Sequence, residues 1–194
     1  MSACLSTALA GCSGSETNQS PPDEGTLVTD YTAATARAPE SQPPIVTRQV
    51  TDDGAGNAEE ASTTAEPVGF HTIESEDDAS AIEVADDATD AAAVRRLLAE
   101  TDYERESVLI SQTQLGECYR LEVNYVGRDA DGTPDVDFCQ VVRDAETACD
   151  RDARDHVAMF VRLPFPGDEY SGFSHGGGGS CGKVPEEYRT EGES

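Results

Sequence analysis

Four cysteines, Cys118, Cys139, Cys149 and Cys181, are the residues best placed to do chemistry in the carboxy-terminal part of this 194-residue chain. They include no C-x-x-C pair, and no histidine lies at zinc-ligand spacing from them. They therefore read as two disulfides of a protein outside the cell, and no metal is assigned to them. Each bridge contributes roughly 2 to 4 kcal/mol by restricting the unfolded chain.

Other constellations carry less. Gly177-Gly178-Gly179-Ser180-Cys181-Gly182-Lys183 spells G-x-x-x-x-G-K, but Val184 and Pro185 follow where a phosphate loop needs Ser or Thr and then a helix. Glu104, Glu106, Asp135 and Asp137 offer paired carboxylates for acid and base work. In a chain with 39 acidic residues such pairs are expected everywhere and select nothing. Ser107 and Ser111 with His156 lack the strand-to-helix elbow of a serine nucleophile. No catalytic residue is nominated and no cofactor is implied.

The elements that must position these residues begin at Pro67. Val68, Phe70 and Thr72 alternate with polar neighbours as a half-buried strand does. Ala81-Ile82-Glu83-Val84 reads as a short strand or a lead into a helix. That helix is predicted over Asp87 to Glu100, with Ala91, Val94, Leu97 and Leu98 on one face. Strands follow over Ser107 to Gln112 and, after a turn at Gln114-Leu115-Gly116, over Cys118 to Val126. In the latter, Tyr119, Leu121, Val123 and Tyr125 share a face.

Arg128-Asp129-Ala130-Asp131-Gly132-Thr133-Pro134 is a turn signal, and the return strand Asp135 to Val142 places Val136, Phe138 and Val142 inward. A polar excursion, Arg143 to Asp155, precedes a last strand through Val157, Met159, Val161 and Leu163. The sum is an α+β domain over residues 67–186, one antiparallel sheet of four or five strands with one packed helix. Cys118 and Cys139 fall opposite the apolar stripe, so their partners come from loops over that face. Three connectivities are open, and pairing Cys139 with Cys149 and Cys118 with Cys181 is favoured.

Residues 13–66 are rich in Ser, Thr, Pro, Ala, Gly and acid, a composition that cannot offset the entropy of folding. They are expected to form a disordered acidic linker, with residues 187–194 a disordered tail. Asn18-Gln19-Ser20 makes Asn18 a glycosylation acceptor. The net charge is -26 and the pI about 4.1, with Lys183 the only lysine. So negative a field repels phosphate backbones, which argues against nucleic acid as a partner. In molar salt the Debye length falls to roughly 3 Å and the self-repulsion is screened.

Leu9-Ala10-Gly11-Cys12 is similar to the lipobox of secreted lipoproteins. That resemblance implies cleavage before Cys12, lipid on its sulfur and residence on the outer face of the cell membrane. Residues 1–8 lack a basic region and an apolar stretch of signal-peptide length, so this reading expects an earlier start. The lysine-poor acidity together with lipobox, leash and cysteines resembles surface lipoproteins of halophilic archaea.

His71, Cys149, His156 and Met159 are similar to the ligand set of blue-copper lipoproteins such as halocyanins, although the Cys and second His of that family stand closer together. Finally, Asp102 to Ile110, Gly116, Tyr119 to Tyr125 and Val161-Arg162-Leu163-Pro164 resemble envelope domains of the PrcB carboxy-terminal kind. None of these resemblances brings catalytic residues. The sequence points to a non-enzymatic, lipid-anchored domain with an envelope protein as partner; the other reading is a metal-binding or electron-transfer lipoprotein.

Overall fold

The computed structural model describes residues 25–52, 62–170, 172–179, 181–185 and 188. The strands among them are β1 (Thr26–Leu27), β2 (Thr32–Pro39), β3 (Val46–Asp52), β4 (Ser62–Pro67), β5 (Phe70–Ile73), β6 (Ile82–Val84), β7 (Ser107–Gly116), β8 (Tyr119–Arg128), β9 (Pro134–Val142), β10 (Arg154–Leu163) and β11 (Ser174–Gly179). The helices are α1 (Glu76–Ser80) and α2 (Ala91–Glu100). The architecture is mostly antiparallel β with few helices, compatible with the expected α+β class. None of these helices is long and apolar enough to cross a membrane.

The strands form three sheets where one was expected. Their orders are β1-β8-β9-β11, β2-β10-β7-β5 and β4-β3-β6. The second sheet is the middle layer, because β7 and β10 are apolar on both faces and cannot afford a wet side. Leu109, Val157, Met159 and Val161 pack toward Leu121, Val126, Val136 and Phe138 of the first sheet. Val108, Ile110, Ala158 and Phe160 face the other way, onto Val94 and Leu97 of α2 and onto Val46 and Ile82 of the third sheet. Phe160 is fully buried there.

The expected boundary at residue 67 is wrong, and so is the disordered linker for residues 25–52 and 62–66. β2 pairs with β10 from Thr32↔Arg162 to Pro39↔Asp155. Its small side chains are what misled: Ala36 and Ala38 are buried because α2 lies directly over them, and only a small residue admits so close a helix. β3 pairs with β4 and with β6. Residues 13–24 and 53–61 of that stretch, and residues 187 and 189–194 of the expected tail, lie outside the described residues; Tyr188 of that tail is instead buried, its ring packed on Tyr125.

Helix α2 starts four residues later than predicted. Thr89 exchanges backbone hydrogen bonds with Arg37 (2.8 and 3.1 Å), which draws residues 86–89 against the outer edge of β2 before the helix can begin. The Gln114-Leu115-Gly116 turn is also displaced, since β7 runs through Gly116 and the chain turns at Glu117-Cys118. In β8 the alternation breaks at Asn124, where the pairing with β9 shifts register between Val123 and Tyr125. The bulge turns Val126 inward and leaves Tyr125 on the other face. Val142, expected inward, is 65% exposed.

Candidate functional site

The cysteines do pair, but not in the favoured way. Cys118 is bonded to Cys149 and Cys139 to Cys181, each with Cα atoms 5.2 Å apart. The sheets decide otherwise. Cys118 sits where the chain passes from the middle sheet to the outer one, and Cys149 sits where it passes back, so the two crossings meet at one end of the sandwich. Cys139 lies on β9, beside the segment that leaves β11, and that segment carries Cys181. It is 1% exposed rather than facing water, because the bridged segment covers it.

The first disulfide belongs to a densely bonded corner. The Arg37 Nε donates to the Asp155 carboxylate, and the other guanidinium nitrogens donate to the carbonyls of Tyr119 (2.7 Å), Glu117 (3.1 Å) and Gly116 (3.3 Å). The Arg143 amide donates to Cys118 O, its guanidinium to Glu117 O, and the Asp150 amide to the Glu117 carboxylate. No sequence signal nominated Arg37, which stands in an Ala/Thr-rich run.

The second disulfide closes a different arrangement. β11 runs parallel to β9, from Ser174↔Asp135 to Gly179↔Cys139. The Asn124 side chain, presented by the β8 bulge, accepts from the Gly182 amide (2.7 Å) and donates to Lys183 O (3.0 Å) and to Asp137 (2.7 Å). Asp135 accepts from Ser174 and from the Tyr125 hydroxyl. Burial first, then that bond and the neighbouring carboxylates, push the Tyr125 hydroxyl far above its usual range. Asp135 is thus occupied in holding β11, and Asp137 in holding the Asn124 side chain.

Two of the concavities among the described residues lie on different sides of the domain. A groove of about 790 Å³ lies between α2, β6 and the Pro43–Thr47 segment. Its floor is apolar, with Ile45, Ile82 and Leu98, and the Arg95–Asp86 ion pair (2.6 Å) stands at its rim. A second cleft, of about 600 Å³, opens where the two four-stranded sheets part. Phe70, Ser111 and Gln112 line one side, Leu121 and Phe138 the floor, and His175 to Gly177 of β11 the other side. Phe70 stacks on His175 (3.9 Å) and on Phe173 (4.7 Å), whose own rings are 6.0 Å apart, so the three form a cluster.

The remaining sequence candidates are placed apart or otherwise engaged. Cys149 is in a disulfide, and Met159 is a buried core residue whose sulfur accepts from Thr35 (3.2 Å). His71 pairs across β5 with Ile110, whose neighbour on β10 is Phe160, four positions along from His156. The blue-copper set is therefore not brought together. Burial, and then the nearby Arg48 charge, lower the His71 pKa, and its Nε2 is buried with no partner among the described residues.

Glu106 accepts from the Asp102 amide (2.9 Å) and pairs with Arg162 (3.4 Å), while Glu104 bonds Asp102 through its own amide. Ser107 donates to Phe165 O and accepts from Tyr170, all within the core. The G-x-x-x-x-G-K run is strand as far as Gly179, then disulfide and Asn124 clasp. Cys12 and Asn18 lie outside the described residues.

No family model, no curated protein and no solved structure matches the chain.

Proposed function

We propose that the chain is a lipid-anchored lipoprotein of the outer membrane face whose folded part is a non-enzymatic binding domain suited to high salt. The observation that carries this reading is the use of Cys118, Cys139, Cys149 and Cys181 in two disulfides. Such bridges persist in an oxidising compartment, and none of the four sulfurs is left as nucleophile or metal ligand. The Leu9-Ala10-Gly11-Cys12 motif supplies the anchor. The acidic, lysine-poor composition suits concentrated salt, and the apolar-floored groove between α2 and β6 is the surface on which an envelope protein would be received.

Intact mass spectrometry of protein extracted from membranes tests it. The expected species begins at Cys12, carries lipid mass and gains four hydrogens on reduction. An unlipidated chain retaining Met1 overturns the anchor. Thermal unfolding of the same material at about 0.1 M and at molar salt tests the adaptation, since screening should raise the midpoint; an unchanged midpoint counts against it.

A further inference from the structure

We propose that Cys139–Cys181 is a reducible latch that holds β11 as the removable wall of the cleft between the two four-stranded sheets. β11 contributes Gly176, Gly177, Gly178 and Gly179, which bring no side chains to pack. Glycine inside a strand is unfavourable by roughly 0.5 to 1 kcal/mol relative to alanine, so four in succession make a strand that backbone pairing alone holds poorly. The pairing with β9 is also interrupted between Gly177 and Gly179.

β11 is therefore held at its ends. At one end Ser174 bonds Asp135 and the Phe173, Phe70, His175 cluster closes over it. At the other stand the Asn124 clasp and the disulfide, and beyond them the buried Tyr188 ring packs 5.5 Å from Tyr125. The clasp and the Ser174 bond are exposed to water, where a hydrogen bond contributes only about 1 kcal/mol net. The disulfide is the covalent restraint, and it ties the end of β11 directly to β9. The corner disulfide differs in this respect, because Arg37, Arg143, Glu117 and Asp150 keep Cys118 and Cys149 in place without it.

Opening needs a dithiol reductant. Its thiolate attacks Sγ of Cys181, which is the exposed sulfur, and the Cys139 sulfur leaves and takes a proton. The second thiol of the reductant then attacks the mixed disulfide and releases the Cys181 thiol. Two electrons pass to the protein, and the reductant leaves as its own disulfide. Once free, β11 withdraws His175, Gly176 and Gly177 from the cleft and uncovers the edge of β9 beside Val136 and Phe138.

Amide hydrogen exchange on the full chain tests the latch, comparing the oxidised protein with Cys181→Ser and with wild type reduced by dithiothreitol. In Cys181→Ser the amides of β11 and of residues 135–139 should exchange about tenfold faster or more, with β7 and β10 unchanged. Dithiothreitol should reproduce that pattern. The Cys118→Ser/Cys149→Ser double variant should keep β11 protected. Unchanged β11 protection in Cys181→Ser overturns the proposal, as does a loss that spreads equally to β10. Should the double variant fail to fold, the Cys181→Ser comparison decides alone.

Discussion

Arg37 on β2 and Asp155 on β10 form a largely buried ion pair at the point where the middle sheet hands the chain to the outer one, with guanidinium and carboxylate side chains only 17% and 12% exposed. β2 is the outermost strand of its sheet, yet through Arg37 it bonds the carbonyls of residues 116, 117 and 119 in the neighbouring turn. One planar group with five donors thereby joins β2, β10 and the β7–β8 corner.

Replacing Arg37 by Met should therefore cost about 3 kcal/mol, since it strands a largely buried carboxylate and removes the donor from the part-buried Gly116 carbonyl. Arg37→Lys should recover less than half of that, because an ammonium cannot span the same fork. Denaturant unfolding in molar salt measures both. A methionine variant within about 0.5 kcal/mol of wild type would show that the corner holds without the pair.

Gln112 joins the middle sheet to the third. Its Oε1 accepts from the Val46 amide (2.8 Å) and its Nε2 donates to the carbonyls of Val68 (2.7 Å) and Val46 (3.3 Å). Gln112→Ala leaves the amide of a fully buried residue unpaired and should cost about 1 to 3 kcal/mol. Gln112→Glu should be at least as harmful at neutral pH, because a carboxylate then faces two carbonyl oxygens. Equal stability of Gln112→Glu and wild type in chemical denaturation would refute this role.

His71 predicts a pH dependence. Burial disfavours its imidazolium, and Arg48 adds to the effect, so its folded pKa lies below the unfolded value of 6.5. On acidification the unfolded chain takes up this proton first. Stability from neutral His71 is thus present above pH 6.5 and is lost as pH falls from there to the lower folded value. Wild type should lose more stability across that window than His71→Gln, which has no such proton to take up. Superimposable stability curves for the two would rule out the effect.

What the sequence determined by itself is local. The β8–β9 hairpin is legible because Asp129 to Thr133 carries its own turn, with Asp129 accepting from the amides of Asp131 and Thr133 and Gly132 at a φ of 86°. β10 is legible as a strand because an apolar run of its length, bounded by polar residues, leaves few alternatives. That the four cysteines would bridge followed from their number and spacing. Which ones bridge did not. Cys118 meets Cys149 because two crossings between sheets coincide, and Cys139 meets Cys181 because a glycine strand returns parallel to β9.

The same limit hid β2 and the clasp. Alternation of Ala and Thr has too little hydrophobic contrast to mark a strand, and it becomes one through β10 beside it and α2 above it. The roles of Arg37 and Asn124 likewise depend on acceptors 79 to 118 and 13 to 59 residues away along the chain. A periodicity read along the chain reports which face of an element is apolar. It carries no information about which distant segment covers that face, and here that choice fixes the three layers, both disulfides and the wall of the cleft.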